Sequence, residues 1–138
     1  MISYKRRAVY YETDRMKIVH HSNYIRYFEE ARINFMHEIG CDVLEMENKV
    51  LLIPNVDAYA RYIKPIRFSD EFNVDVKLTQ FTGSRMVFEY KITLCKTNEV
   101  AATGHTMHCF ASESLKPVSI KHTFPEYYNI LKNNISAE

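Results

Sequence analysis

Residues 11–39 read YETDRMKIVHHSNYIRYFEEARINFMHEI, and the second half of this stretch has the spacing of one long amphipathic helix. From Tyr24 onward, apolar side chains recur every three or four residues, which is the period of one helix face. These side chains are Phe28, Ala31, Phe35 and Ile39, flanked by Ile25 and Met36. We expect Ser22 or Asn23 to cap the start of the helix and Gly40 to end it in a left-handed conformation.

Most of the remaining chain has the two-residue period of β-strands. Strands are predicted over residues 4–10, 56–63, 72–79, 86–94 and 100–112. Turn residues separate the last three strands, which therefore form an antiparallel meander. Short helical turns are predicted near residues 43–46, after Asp42, and 123–131. One long helix beside one sheet predicts an α+β fold, because the helix must bury its apolar stripe against a sheet face.

The composition indicates a single domain over residues 1–138. The chain is 46% hydrophobic, and its 18 basic and 17 acidic residues leave a net charge of +1. No global field therefore favours nucleic acid or a charged membrane surface. Three cysteines without metal-type spacing favour a reducing, cytoplasmic compartment. No apolar stretch reaches ~18 residues and the start of the chain is polar, so neither membrane insertion nor export is expected.

The run from Tyr11 to Tyr24, with its continuation Phe28-Glu29-Glu30-Ala31-Arg32, closely resembles the opening of hotdog-fold acyl-CoA thioesterases of the 4-hydroxybenzoyl-CoA thioesterase and YbgC type. The resemblance implies a hotdog fold, in which a curved antiparallel β-sheet wraps around a long central α-helix. It also implies hydrolysis of an acyl-CoA thioester to the free acid and CoA. The order of elements agrees along almost the whole chain, whereas the specific motif spans about residues 10–32.

The resemblance assigns roles to residues at the start of the helix. In that family the carboxylate matching Asp14 is catalytic, and a backbone amide near His21 points at the thioester oxygen. A carboxylate can attack as a nucleophile or activate water as a general base, and both alternatives stay open. Amides at a helix N-terminus lack acceptors and carry the positive end of the helix dipole, so they can polarise a carbonyl. The His21 side chain is expected to orient or hydrogen-bond, while Val19, Asn23 and Tyr24 are expected beside the substrate, Asn23 chiefly as loop support and Tyr24 chiefly by packing.

One position departs from the motif that carries the resemblance. Related sequences often have glycine where this chain has Lys17. Glycine tolerates a positive φ, whereas a lysine forced into that conformation costs on the order of 1 kcal/mol or more. The loop between Asp14 and Val19 can therefore follow a different path in this chain.

Basic side chains further along the chain are candidate partners for the phosphates of CoA. Arg61, Lys64 and Arg67 belong to the segment RYIKPIRFSD (residues 61–70), which resembles the strand and turn of the same family. Arg85 is a fourth candidate, since guanidinium and ammonium groups bind phosphate well. The alternative is that these charges discourage edge-strand aggregation.

No metal or cofactor site is predicted. His105 and His108 fall on opposite faces of a regular strand and cannot share a metal ion. A chain with 3 glycines also offers no glycine-rich phosphate loop and no nucleophile elbow.

The leading functional hypothesis is an acyl-CoA thioesterase whose site lies between two subunits of a homo-oligomer, a dimer or a tetramer, as the resemblance implies. A non-catalytic module that binds acyl-CoA or acyl carrier protein is the alternative of a different class. A hydratase or dehydratase on the same scaffold would use a histidine and a helix carboxylate together. Glu29 and Glu30 lie on the polar helix face, where pairing of Arg26 with Glu30 favours a solvated surface.

Overall fold

A five-stranded antiparallel sheet curves around one long helix in this computed structural model, which describes residues 1–136. The helices are α1 (Ser22–Glu38), α2 (Val43–Asn48) and α3 (Pro125–Asn133). The strands are β1 (Ile2–Arg7), β2 (Asn55–Tyr62), β3 (Glu71–Phe81), β4 (Arg85–Leu94) and β5 (Val100–Cys109). Their order across the sheet is β1-β3-β4-β5-β2, so β1 and β2 form its two edges. Within the described residues, no helix has the length and apolar character needed to span a membrane.

The apolar stripe of α1 is buried against the inner face of the sheet, as its spacing predicts. The buried helix side chains include Tyr24, Tyr27, Phe28, Ala31, Phe35 and Met36. Every second residue of β3 and β4 faces them, namely Phe72, Val74, Val76, Leu78, Met86, Phe88, Tyr90 and Ile92. Fully burying a large apolar side chain stabilises a fold by about 1.5–3 kcal/mol, so this contact dominates the core.

Phe28 lies where α1 approaches the sheet most closely. Its ring stacks on the ring of Tyr90, with the two centroids 4.4 Å apart. A Cβ atom at Gly104 would lie 2.4 Å from Phe28 Cε2 and 2.4 Å from the Tyr59 carbonyl oxygen. Only glycine therefore fits at this point of β5.

The helix boundaries agree with the sequence at one end and differ at the other. Gly40 has a φ of +95° just beyond α1, which confirms the predicted left-handed end. The Asp42 side chain accepts a hydrogen bond from the Glu45 N–H, which confirms the short α2 helix. The predicted capping of α1 by Ser22 or Asn23 is wrong, because the N-cap residue is His21, whose side chain makes no capping hydrogen bond.

The strands confirm the predicted pattern, with shifted ends. β1 covers Ile2–Arg7 rather than residues 4–10, because the chain turns at Ala8, whose N–H donates to the Asp70 carbonyl (2.9 Å). β5 ends at Cys109 rather than at residue 112. Beyond it, Ala111 forms isolated bridges to Leu52 and to Pro117.

A chain of polar groups crosses the core between β4, β5 and α1. The Tyr90 and Thr106 hydroxyl oxygens lie 2.6 Å apart, and Thr106 Oγ1 lies 2.8 Å from His108 Nε2. Arg32 Nη1 lies 3.3 Å from the same nitrogen. His105 is exposed on the other side of β5, which confirms the predicted opposite faces. Burial, with the Arg32 charge, lowers the pKa of His108 to about 3.

The close approach at Gly104 predicts that Gly104→Ala destabilises the protein. The added methyl group must displace the Phe28 ring or the β2 backbone, and such overpacking costs about 1–3 kcal/mol. Chemical denaturation should therefore give a lower free energy of unfolding. Thr103→Ala, one residue away on the opposite face of β5, is the control; an equal effect of both substitutions would contradict the steric argument.

The buried His108 predicts a specific loss of stability in acid. Its pKa is about 3 in the folded chain and 6.5 as the ordinary value, so below pH 6.5 the unfolded chain binds a proton that the folded chain does not. As the pH is lowered from 6.5 toward 3, the free energy of unfolding should therefore decrease. The contribution of His108 to this decrease is up to about 1.4 kcal/mol per pH unit. His108→Gln should flatten that slope in denaturation series, whereas His105→Gln should not; parallel slopes for all three proteins would refute the assignment.

Candidate functional site

Asp14 opens a tight turn that folds back onto the chain before α1. Its carbonyl accepts the Lys17 N–H (2.9 Å), and its N–H donates to the Ile18 carbonyl (2.9 Å). Asp14 Oδ1 accepts the Met16 N–H at 2.8 Å. Among residues 1–136, no hydrogen bond or ion pair involves Asp14 Oδ2. One carboxylate oxygen thus fixes the turn while the other stays open to a ligand.

Lys17 occupies the strained conformation that glycine would tolerate. Its φ is +65°, so this lysine adopts the left-handed conformation itself. The side chain of Lys17 is exposed. The hydrogen bond from its N–H to the Asp14 carbonyl offsets the cost of the strained backbone conformation.

The first amides of α1 are unequally satisfied. The Ser22 N–H donates to His20 Nδ1 (3.2 Å), and the Asn23 N–H donates to the His20 carbonyl (3.0 Å). The Tyr24 N–H donates to the His21 carbonyl at 3.2 Å. The His21 N–H has no acceptor within the part of the chain that the structure describes. It is an exposed donor at the positive end of a 17-residue helix.

Asp14 and His21 line the same cleft, which has a volume of about 390 Å³. Val19, Tyr24 and Lys64 also line it, so five of the candidate residues come together. The remaining walls consist of Met16, Ile18, Tyr62, Ile63 and Pro65. A mostly apolar cleft with few convergent polar groups is typical of small-molecule sites.

Tyr24 and Val19 build the floor of this cleft. Both are buried, and the Val19 N–H donates to the Ile66 carbonyl at 2.7 Å. The Tyr24 ring meets the Tyr62 ring edge-on, with centroids 4.8 Å apart. Burial, together with the neighbouring Tyr62, raises the pKa of Tyr24 to about 12, so its hydroxyl stays protonated and cannot act as a base at neutral pH.

Asn23 lies behind the cleft rather than in it. It is buried, and its Nδ2 donates to the carbonyl oxygens of Glu12 (3.0 Å) and His20 (3.3 Å). Its Oδ1 accepts from Arg26 Nη1 at 3.2 Å. The Nδ2 end of the Asn23 side chain therefore holds the loop, while its Oδ1 end binds Arg26 of α1, which contacts Asn23 instead of the predicted partner Glu30.

Glu12 is a buried carboxylate that the sequence did not single out. It is 4% exposed, and its oxygens accept from Arg6 Nη1 (3.0 Å) and Nη2 (2.8 Å). Burial raises the pKa of Glu12, but hydrogen bonds from Arg6, the Val9 N–H and Tyr27 outweigh it and hold the pKa below its ordinary value. An acid in a polar loop gives no sequence signal of burial, because its cation comes from another element.

The other basic candidates do not reach the cleft within one protomer. Arg61 is exposed on β2, and Arg67 is exposed in the following loop, where its N–H donates to Asp70 Oδ2. Arg85 begins β4 and pairs with Cys109, at the end of the sheet far from Tyr62, which pairs with Ala102. Only Lys64 among these residues lines the cleft.

A larger depression, of about 650 Å³, lies on the outer face of the sheet. Its charged side chains include Asp75, Lys77, Glu89 and Lys91, which alternate in sign across β3 and β4. It contains neither Asp14 nor any helix N-terminus. Chemistry therefore points to the smaller cleft.

Comparisons with known proteins identify relatives of the whole fold. A family model described as the thioesterase-like superfamily matches residues 9–125. A protein of Bacillus subtilis named as the acyl-CoA thioesterase YneP is 31% identical over 120 residues, which cover 86% of this chain and 86% of that protein.

Solved structures extend the similarity to three dimensions. A DHNA-CoA thioesterase from Staphylococcus aureus superposes with a TM-score of 0.92 at 28% identity, covering 95% of this chain and 88% of that one. A hypothetical protein from Aquifex aeolicus superposes with a TM-score of 0.87 at 35% identity, covering 95% of this chain and 99% of that one.

Proposed function

Since this chain belongs to the thioesterase-like superfamily and is a hotdog-fold thioester hydrolase, we propose that it hydrolyses an acyl-CoA to the free acid and CoA. A thioester has weaker resonance stabilisation than an ester. Its leaving thiolate derives from a thiol with a pKa of about 8.5, so the thiolate can leave with little help from an acid. The enzyme must supply attack on the carbonyl carbon and polarisation of the carbonyl oxygen.

Asp14 supplies the attack in this proposal. As a nucleophile, its free oxygen bonds to the carbonyl carbon and expels the CoA thiolate, and water then hydrolyses the resulting anhydride. As a general base, it takes a proton from water while that water attacks and the thiolate leaves. The open Oδ2 atom supports either route, because the other oxygen is already bound to the Met16 N–H.

The helix start supplies the polarisation. The unpaired N–H of His21 at the head of α1 is the observation that carries the proposal, because His21 lines the same cleft as Asp14. A donor of this kind strengthens as negative charge develops on the thioester oxygen. The His21 ring, which lies 6.4 Å from the Tyr62 ring between centroids, is proposed to orient the substrate or water. Val19 and Tyr24 would shape the acyl side of the cleft, while Asn23 would act through the loop that it holds.

The CoA part of the substrate would be held by positive charge at the mouth of the cleft. Lys64 lines it, while Arg61 and Arg67 flank it on the surface. Arg85 would take part only if a second subunit brought it there. An acyl carrier protein could present the same thioester on its phosphopantetheine arm, and we propose the cytoplasm as the compartment, because Cys41, Cys95 and Cys109 are free thiols.

A homo-oligomer, as a dimer or a tetramer, is the proposed assembly. β2 is an edge strand that is exposed along almost its whole length. Val56, Tyr59, Tyr62 and Ile63 are each about half exposed, so a monomer would leave large apolar side chains at this edge in water. Antiparallel pairing of two β2 edges would bring a second copy against this edge and the Arg85 end of one sheet toward the Tyr62 end of the other.

The role of Asp14 predicts a large kinetic effect of Asp14→Asn. The amide can neither attack nor accept the proton, so kcat for a short or aromatic acyl-CoA should fall at least about 100-fold. Release of the CoA thiol across a panel of acyl-CoAs gives the rates, and circular dichroism checks the fold. Asp75→Asn, on the outer sheet face, should keep its activity. Wild-type turnover by Asp14→Asn would refute the catalytic role of Asp14. If the wild-type protein bound acyl-CoA or acyl carrier protein thioesters but hydrolysed none of them, the binding module would be favoured instead.

The exposed β2 edge predicts that a charge there dissociates the assembly. Val56→Lys should lower the mass measured by light scattering from a multiple of 16.3 kDa to that value, because lysine disfavours pairing of strand edges. Leu44→Lys, at an exposed apolar position on α2, is the matched control and should not change the mass. A wild-type protein that is monomeric at micromolar concentration would contradict the proposed assembly.

A further inference from the structure

We propose that Glu12 is a positioning residue: held by Arg6, it fixes the turn that carries Asp14 relative to the start of α1. This inference rests on the proposed function, because it concerns the same site. The two halves of that site come from different parts of the chain, a turn before α1 and the first residues of α1 itself. Something must therefore hold them in register.

Arg6 bridges the two halves through a pair of carboxylates. Its Nη1 and Nη2 atoms donate to Glu12 at 3.0 and 2.8 Å, a two-pronged contact with the loop. Its Nε and Nη2 atoms donate to Glu30 of α1 at 3.0 and 3.2 Å. Glu30 therefore pairs with Arg6 and not with the predicted Arg26, while its side chain stays 35% exposed at the surface. A planar guanidinium with fixed donors holds both partners in one geometry.

The Glu12 side chain has further partners that tie the loop to the helix. Its Oε1 atom accepts the Tyr27 hydroxyl at 2.8 Å and the Val9 N–H at 2.9 Å. Tyr27 belongs to the buried stripe of α1, and Arg6 also lies over its ring, 4.9 Å from the centroid. Inside the protein such a network is strong when every member is satisfied.

The Glu12 backbone connects the same anchor to the helix entrance. Its carbonyl accepts the His20 N–H at 2.8 Å and Asn23 Nδ2 at 3.0 Å. His20 directly precedes the unpaired amide of His21, and Asp14 follows Glu12 by two residues. One residue therefore limits the movement of both reacting halves. A displacement of about 1 Å between catalytic groups can lower a rate by roughly 100-fold, so this network bears on kcat and not only on stability.

Glu12→Gln and Tyr27→Phe test the proposal in the full-length protein. Glu12→Gln keeps the shape but removes the charge that binds Arg6, and kcat should fall about tenfold or more while KM changes less than about threefold. Tyr27→Phe removes one hydroxyl and leaves all charges in place, so it should fold and show a smaller fall in kcat. Glu45→Gln is the matched control, because Glu45 also accepts from a lysine and a tyrosine hydroxyl, Lys49 and Tyr127, but lies on α2 away from the cleft.

Hydrogen exchange separates this proposal from the proposed function. In both Glu12→Gln and Tyr27→Phe, the amide of His20 should exchange faster than in the wild-type protein, while amides of β3 and β4 should not. The positioning role would be refuted if both variants folded and kept the wild-type kcat and the wild-type exchange rate of the His20 amide. If the wild-type protein hydrolysed no thioester, the proposed function would fail, and the exchange result would still support or refute the contact between Glu12 and the helix entrance.

Discussion

Burial of the apolar stripe of α1 against the curved sheet fixes where the other elements lie. Phe28, stacked on Tyr90 and pressed against Gly104, sets how closely the helix approaches β5. The helix then has a fixed direction across the sheet, and its N-terminus emerges beside Tyr62 at the end of β2. The core thereby places His21, the N-cap residue of α1, in the wall of the cleft.

The two acidic residues of the loop before α1, Glu12 and Asp14, have different surroundings. Glu12 is buried and bound on both oxygens, so its negative charge is used to hold the loop. Asp14, two residues later, has no ion-pair partner among residues 1–136 and keeps one oxygen open. These two acids differ in their surroundings because Arg6, a cation from β1, pairs with Glu12 and not with Asp14, and we propose different roles for them on that ground. A buried, paired carboxylate stays ionised and inert, whereas a half-buried, unpaired one can react.

Local patterns were enough to predict most of the fold. The helical period of residues 24–39 and the two-residue period of β3 and β4 predicted the elements and their buried faces, because burial of one face imposes those periods. Features that depend on tertiary contacts were missed. The capping of α1 was one of them, because the side-chain amide of Asn23 donates to carbonyl oxygens of the preceding loop. The burial of Glu12 was another, since its partner Arg6 lies on a different strand.

The candidate site was predictable in part for the same reason. Asp14, Val19, His21 and Tyr24 lie within one short stretch, and the resemblance of that stretch to a known family named them together. Lys64 was predicted from a second, weaker motif, the segment of residues 61–70. Arg85 lies at the far end of the sheet from the cleft, and nothing in a single sequence reports how two subunits pair. The left-handed Lys17 shows that hydrogen bonds within a turn can impose a conformation that the side chain disfavours.

We propose that Asp14 and the His21 amide act on the two ends of one thioester carbonyl. A crystal structure with an acyl-CoA analogue that has a ketone in place of the thioester would show whether they do. We expect the ketone oxygen about 2.7–3.1 Å from the His21 nitrogen, with the carbonyl carbon facing the open oxygen of Asp14 directly or across one water. A ketone bound away from both groups, such as in the depression on the outer face of the sheet, would rule out this arrangement.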